Sequence, residues 1–327
     1  MDFKIQEAKR ENIWVKIALM GASGSGKTYS ALRLATGMLE ELKAKGMGKN
    51  GRIAFINTEG ARGRYYADEF QYDIADMEQP YNPEKYIEYI NEIVKADYPI
   101  VVIDSTSHEW EGKGGSLEIH QLAGGRYQDW GKVTPRHDRF ILSIADSPIH
   151  VIATMRGKDQ YTMEQEGGSK TTVKKLGVGA KQRDGFEYEF TASFLIDQSN
   201  NLAITQKDNT HLFETRGYIK LSEDDGKELI TWANSGKGEY VAPKRYQETI
   251  NQIQAEKEQA QESEELTEIR EMIISLAKVL GGHTNKDLMT IMRKYAPSGN
   301  PIKITDMDIA QKLYAEMENF LQSTKTE

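Results

Sequence analysis

The chain has 327 residues, of which 38% are hydrophobic and 28% are charged, and its formal net charge is −8. This length accommodates one large domain and a small one, and the composition is that of a soluble globular protein. The absence of cysteine excludes disulfides, thiolate zinc sites and cysteine nucleophiles. No apolar run approaches the roughly 20 residues of a membrane helix. The acidic net charge gives no global positive field that attracts nucleic acid, so any DNA binding must use local basic loops. The amino terminus has no signal-peptide layout, so we expect a cytoplasmic protein without a membrane partner.

A glycine-rich loop lies between the first two predicted elements. Residues 14–20 indicate a buried strand, and a helix is predicted from the loop to about Leu42. The intervening residues match the pattern G-x-x-x-x-G-K-[ST]: Gly21, Ala22, Ser23, Gly24, Ser25, Gly26, Lys27 and Thr28. The backbone N–H groups of such a loop surround phosphate oxygens, its lysine reaches the β- and γ-phosphates, and its threonine hydroxyl ligates Mg²⁺. Because the strand–loop–helix context is present, we favour a nucleotide site over a chance Gly/Ser turn.

Further strands and helices alternate along the next part of the chain. The predicted elements are a strand at 52–57, a helix at 83–95, a strand at 99–104, a helix at 132–146, a strand at 149–155, and a hairpin of 192–197 with 202–206. Apolar strands that alternate with helices predict an α/β fold with a mainly parallel sheet covered on both faces.

The composition changes after about Tyr240. We predict a core domain over residues 1–240, a charged helical linker over 241–265 and a small α-helical domain over 266–327. Three apolar stripes at helical spacing predict three helices that pack against one another. The stripes are Met272, Ile273, Leu276, Val279 and Leu280; Leu288, Ile291, Met292 and Tyr295; and Ile309, Leu313, Met317 and Phe320.

Two acids follow predicted strands. Asp104 ends the strand at 99–104, where an Asp near the Mg²⁺ of a phosphate-loop protein is found; the alternative is a cap for the next helix. Glu59 follows the strand at 52–57. If that strand lies beside the phosphate-loop strand, Glu59 faces the γ-phosphate and can act as the general base for water; the alternative is a surface glutamate in a turn.

The order of these marks resembles the RecA/recombinase ATPase core. Tyr66 stands seven residues after Glu59, Gln79-Pro80 precedes the helix at 83–95, and Asp104-Ser105 ends a strand. The stretches 111–115, 129–135 and 154–156 resemble phage-encoded RecA-like ATPases associated with single-strand annealing. The resemblance covers most of residues 10–215 and leaves out the C-terminal helices.

This resemblance implies a set of functional properties. The fold would be a RecA-like P-loop NTPase core, the cofactors ATP and Mg²⁺, and the activity DNA-dependent ATP hydrolysis. Glu59 would be the catalytic base, Tyr66 would stack on adenine with Tyr65 as a competitor, and Arg156 would sense the nucleotide. Lys181 and Arg183 would reach the γ-phosphate of a neighbouring subunit in a ring or filament. From the residues alone, salt bridges are equally good roles for these three cations. Gly63 stands where RecA has an acid, which weakens the case for adenine selectivity.

Two polar segments fall where recombinases keep their DNA-binding loops. The first, 108–131, contains Lys113, Arg126, Tyr127 and Trp130; the second, 156–185, contains Lys158, Tyr161, Lys170, Lys174, Lys175, Lys181 and Arg183. Long loops in compact domains are often functional, and basic residues with interspersed aromatic side chains suit single-stranded DNA. The alternatives are an ordinary solvated loop and, for Trp130, a place in the core.

We therefore predict a single-stranded-DNA-binding, ATP-hydrolysing protein of phage recombination or annealing that assembles on DNA. The alternative is a P-loop switch that regulates or assembles protein partners without DNA. The C-terminal helices are a candidate recruiter of a replication or recombination protein.

Overall fold

The computed structural model describes residue 5 and residues 7–48, 50–166, 170–183, 185–241 and 243–326; over 158–166, 170–178 and 325–326 it describes the backbone alone. The chain forms two compact units, Met1–Ile250 and Asn251–Glu327. Among the described residues, no helix is long and apolar enough to cross a membrane.

The first unit is built on a mainly parallel sheet. Its strands are β1 (Lys16–Gly21), β2 (Ile53–Asn57), β3 (Tyr72–Asp76), β4 (Ile100–Asp104), β5 (His150–Glu166), β6 (Lys170–Ala180), β7 (Ala192–Ile196) and β8 (Ala203–Asp208). They lie in the order β3-β2-β4-β5-β1-β7-β8, and β6 pairs with β5 outside this row. The pairs β5–β6 and β7–β8 are antiparallel, and the other pairs are parallel. The α/β prediction and the β7–β8 hairpin are confirmed.

Helices of the first unit cover this sheet. They are α1 (Lys27–Ala44), α2 (Pro83–Lys95), α3 (Ser107–Glu111), α4 (Ser116–Leu122), α5 (Trp130–Ala145) and α6 (Glu223–Ala233). The side chains of Leu32, Met38, Phe55 and Phe194 are fully buried in one core cluster that joins α1 and α6 to the sheet. Burial of apolar side chains on this scale is the main stabilising term of such a layer.

The two segments expected to be DNA-binding loops have regular structure. Residues 108–131 contain α3, α4 and the start of α5, and 156–185 are mostly the antiparallel pair of β5 and β6. In the first segment, Gly114, Gly124 and Gly125 have positive φ angles and separate short helices. Each helix is too short to show a helical period in the sequence, so the pattern did not predict it.

The second unit contains most of helix α7 (Lys244–Val279), then α8 (Lys286–Tyr295) and α9 (Met307–Thr326). Residues 244–265 of the predicted helical linker form the first part of α7. Ile273, Leu288, Leu313 and Met317 are buried in the core of this unit. Three members of the predicted stripes, Met272, Val279 and Ile309, are exposed. Ile273 and Leu280 of the first stripe are buried as predicted, together with Ala277, which the stripe left out.

Close packing of α1 on α6 holds the phosphate-loop helix in place. A Cβ added at Gly37 of α1 would lie 1.7 Å from the carbonyl oxygen of Glu223, and one added at Gly226 of α6 would lie 2.2 Å from that of Leu34. Such distances exclude any side chain. Arg33 also donates to the carboxylate of Glu223 at 2.9 and 3.0 Å.

We predict that Gly226→Ala destabilises the chain, because the methyl group must push α6 away from α1. Overpacking of this kind costs about 1–3 kcal/mol, measured as a loss of unfolding free energy in urea. Gly131→Ala in α5 is the matched control, since its added Cβ meets no atom within 4 Å. Equal stabilities of the two variants would contradict this packing.

Candidate nucleotide-binding site

The carboxyl ends of β1 and β4 lie at one edge of the sheet, next to residues 154–156 of β5. In the register of β1 and β5, Gly21 lies opposite Arg156, and in that of β4 and β5, Ile103 lies opposite Ala153. The first residue of the phosphate loop, Asp104 and Arg156 are therefore neighbours. The crevice at this edge is where parallel α/β sheets bind ligands.

A pocket of about 850 Å³ opens at this edge. Most of the predicted site residues line it, and Arg183, Gly21, Ala22 and Ser25 are the exceptions. Those that line it are Ser23, Gly24, Gly26, Lys27, Thr28, Glu59, Tyr66, Asp104, Arg156 and Lys181. Residues more than a hundred positions apart in the chain are thus brought to one cavity.

The phosphate loop has the backbone that its sequence requires. Gly24 and Gly26 have φ angles of 79° and 88°, a region that glycine enters at little cost. A Cβ at Gly21 would lie 2.5 Å from Ser25 Oγ, so this position also requires glycine. Helix α1 begins at Lys27, and its first N–H groups form the natural site for an anion.

Lys27 turns its ammonium group toward the loop. Its Nζ donates to the carbonyl oxygens of Gly21 at 3.0 Å and Ala22 at 2.7 Å. Burial lowers the pKa of Lys27, while the nearby carboxylates of Asp104 and Glu59 act in the opposite sense. A phosphate in the loop would favour the charged lysine in the same way.

Thr28 and Asp104 form the pair expected to face Mg²⁺. The Thr28 hydroxyl donates to Asp104 Oδ2 at 2.6 Å, and the Thr154 hydroxyl donates to the other carboxylate oxygen. Burial raises the pKa of Asp104, so the site favours an added cation. No group of three or more His, Asp or Glu side chains forms a metal cage in the described chain. This donor set fits Mg²⁺, which takes one or two protein ligands together with phosphates and water.

Glu59 reaches the pocket by a different route from the one expected. Strand β2 pairs with β3 and β4, and β4 and β5 separate it from β1, so the condition on which the sequence argument placed Glu59 is not met, although Glu59 lines the pocket. The Glu59 side chain is only 15% exposed. Arg156 Nη2 donates to its oxygens at 2.9 and 3.1 Å, which fixes the carboxylate in the pocket.

A second acid, Glu111 at the end of α3, completes a charge network. Its Oε1 lies 3.7 Å from Arg156 Nη1, and its Oε2 lies 3.4 Å from Lys181 Nζ. The two carboxylates and two cations therefore alternate in the order Glu59, Arg156, Glu111 and Lys181. Of these, Glu59, Arg156 and Lys181 line the pocket. Lys181 lines the pocket of its own chain, whereas Arg183 lies away from it and pairs with Asp138 at 3.3 Å.

Aromatic side chains form the other end of the pocket. Tyr66 is half-buried and packs edge-on against Tyr29, with ring centroids 5.3 Å apart, and Tyr65 is 70% exposed. Both Tyr65 and Tyr66 line the pocket, so both rings remain available for a base. Gly63 is required here, since a Cβ would lie 2.5 Å from the Asn57 amide.

His108 is a pocket neighbour that no sequence signal indicated. Its Nδ1 lies 2.7 Å from the Thr58 hydroxyl, and its Nε2 lies 3.9 Å from Glu59 Oε1. Burial and the charge of Arg156 lower the pKa of His108, against the opposite effect of Glu59, and so favour the neutral ring. It stacks on Tyr81 with ring centroids 5.0 Å apart and supports the strand end that carries Glu59.

The residues expected to contact DNA are distributed over several elements. Tyr127 lies in a 3-10 turn just before α5, Trp130 begins α5, and Arg126 pairs with Asp129 at 3.1 Å. Lys113 accepts a hydrogen bond at its carbonyl oxygen from the Tyr81 N–H. Five of the expected side chains lie outside the part that the structure describes: Lys158, Tyr161, Lys170, Lys174 and Lys175.

The parallel sheet, the phosphate loop at its edge and the Thr28–Asp104 pair define an ATPase of the P-loop class. Residues 14–222 match the family described as the AAA domain, which covers more than half of the chain, and the chain belongs to this family. No curated protein matches the sequence. Family membership supports nucleotide binding and ATP hydrolysis, and it agrees with the fold.

We predict that Glu59→Gln keeps nucleotide binding but lowers kcat, because the amide cannot take a proton from water. The expected loss is about 10²- to 10⁴-fold, measured as steady-state phosphate release beside the binding of a fluorescent nucleotide. Glu92→Gln on the outer face of α2 is the control and should leave both unchanged. Normal turnover in Glu59→Gln would remove the general-base role.

Proposed function

We propose that this P-loop ATPase hydrolyses ATP with Mg²⁺, binds single-stranded DNA and assembles on it, as in recombination or annealing of the phage type. One observation carries the proposal. The base of the antiparallel β5–β6 hairpin lies at the nucleotide pocket. Arg156 and Gly157, where the hairpin leaves the sheet, line the pocket, and so does Lys181, which directly follows β6.

The two ends of this hairpin are tied together. The Lys181 N–H donates to the carbonyl oxygen of Arg156 at 2.6 Å, and Arg156 N–H donates to Ser107 Oγ at 2.9 Å. A ligand that moves the hairpin would therefore move the two cations next to the phosphates. This connection supports a nucleic acid whose binding changes the rate of ATP hydrolysis.

The charges of the pocket wall support the same chemistry. In the described chain Glu59 and Glu111 neutralise Arg156 and Lys181, so the wall has little net charge before a triphosphate arrives. The γ-phosphate then competes for both cations, and Glu59 becomes free to hold the attacking water. Mg²⁺, held by Thr28 and Asp104, would stabilise the charge that develops on the phosphate oxygens.

Self-assembly is part of this proposal. The resemblance implies that Lys181 and Arg183 contact the γ-phosphate of a neighbouring subunit. In the described chain Lys181 lines the pocket of its own subunit and Arg183 pairs with Asp138, so we propose assembly without assigning these two side chains to the interface. Cations supplied across an interface raise hydrolysis rates strongly in other P-loop proteins. The C-terminal unit, with Met272, Val279 and Ile302 exposed, is the proposed contact for a replication or recombination protein.

We predict that single-stranded DNA stimulates ATP turnover, because it binds beside the base of the β5–β6 hairpin and assembles subunits. The test compares phosphate release with and without an oligodeoxythymidylate, beside sizing of the protein–DNA complex by light scattering. Binding should weaken as salt rises, since phosphate contacts release counterions. Turnover that is unchanged by DNA, with no complex at low salt, would overturn the proposal in favour of a P-loop switch that acts on protein partners.

A further inference from the structure

A second pocket, of about 730 Å³, lies beside the nucleotide pocket. We call it the aromatic pocket, and the residues that matter in it are Trp110, Tyr127, Trp130, Gln182 and Arg183. Trp130 is held between two rings: its centroid lies 5.6 Å from that of Trp110 and 4.0 Å from that of His120, with nearly parallel planes. This stack forms a stiff wall.

Tyr127 supplies the open ring of the aromatic pocket. Its side chain is 93% exposed, although it follows Arg126 at the start of a short helical turn whose backbone is fixed by Asp129. An exposed aromatic face on a fixed backbone is the surface on which a nucleobase stacks, and such stacking tolerates any base.

Arg183 supplies the positive charge. Its partner in the structure is Asp138, at 3.3 Å, and the two side chains are 39% and 54% exposed. Ion pairs between exposed side chains stabilise little, so a phosphate can replace Asp138 as the partner of Arg183. An aromatic face and a guanidinium group together match the base and the phosphate of one nucleotide.

The wall between the two pockets consists of two short segments, 109–111 and 181–183. At its centre Gln182 Nε2 donates to Glu109 Oε2 at 3.2 Å and to the Thr106 carbonyl oxygen at 3.0 Å. Gln182 is 1% exposed and Glu109 is fully buried. Glu109 is itself fixed by the Ser116 hydroxyl at 2.6 Å and by His137 Nδ1 at 3.0 Å.

The residues beside this central contact face opposite pockets. Lys181, which pairs with Glu111, lines the nucleotide pocket, whereas Trp110 and Arg183 line the aromatic pocket. Gln182 stands between Lys181 and Arg183 in the chain, and its hydrogen bond to the buried Glu109 holds this junction of the two pockets.

We propose that the aromatic pocket binds a nucleotide unit of single-stranded DNA, with its base on Tyr127 and its phosphate at Arg183, and that the Glu109–Gln182 contact transmits its presence to the nucleotide pocket. This inference rests on the proposed DNA-stimulated ATPase and names its DNA site and its route of regulation. Gln182 is a positioning residue in this scheme.

The test measures the dissociation constant of the complex with an oligodeoxythymidylate, by fluorescence anisotropy, and the DNA concentration that half-maximally stimulates ATP turnover. Tyr127→Ala should raise both values by roughly 5- to 150-fold, the loss expected for one stacked base, and Tyr127→Phe, which keeps the ring, should restore them. Tyr218→Ala, which removes another exposed tyrosine, is the control and should behave as wild type.

Gln182→Met tests the coupling, because it keeps the length of the side chain and removes both donated hydrogen bonds. It should retain DNA affinity and lose most of the stimulation. If that variant does not fold, Glu109→Gln takes its place.

A wild-type chain that neither binds DNA nor responds to it refutes the proposed function itself. If the wild type responds but Tyr127→Ala equals Tyr218→Ala, or Gln182→Met is fully stimulated, the inference alone is overturned.

Discussion

The register of three neighbouring parallel strands is the constraint on which the site depends. Hydrogen bonds between β4, β5 and β1 place Gly21 opposite Arg156 and Ile103 opposite Ala153. Since side chains alternate between the faces of a strand, a shift of one residue would turn each of them to the other face. The Thr28–Asp104 hydrogen bond at 2.6 Å exists only in this register, and with it the place for a magnesium ion.

The same edge explains why the acids and cations of the pocket occur in pairs. Arg156 lies between Glu59 and Glu111, and Lys181 shares Glu111. Partly buried charges are costly unless they are paired, so the protein neutralises these cations internally. A triphosphate that takes over Arg156 would leave Glu59 with Arg62, at 3.8 Å, as its cationic partner. In the proposed scheme this exchange of partners links substrate binding to the base of the hairpin.

Part of the nucleotide site can be predicted from the sequence, and there are physical reasons why the other part cannot. The phosphate loop and Asp104 are predictable because a tight turn and a strand end each require particular residues at fixed spacing. Strand β3 is missed because its pattern, Tyr72–Asp76, is polar and half-exposed. Helix α6 is also missed, although Ser222 and Asp225 form a capping box at its start. Such a box is a sequence signal for the start of a helix.

The position of Glu59 shows a deeper limit. Strand order is a property of long-range pairing, and nothing in residues 53–57 states that β4 and β5 lie between β2 and β1. Glu111 and His108 are likewise recognisable only once α3 is placed against Arg156 and Thr58. Local patterns therefore predicted the phosphate-binding half of the site, and the half formed by contacts between distant segments needed the fold.

The most direct test of the account is magnesium-dependent binding of a non-hydrolysable ATP analogue, measured by calorimetry on the wild-type chain and on Asp104→Asn. The account predicts that Mg²⁺ tightens binding to the wild type and that this gain is lost when Asp104 is neutralised, because the Thr28–Asp104 pair holds the ion. Equal affinity of the wild type with Mg²⁺ and with a chelator, or an undiminished gain in Asp104→Asn, would contradict it.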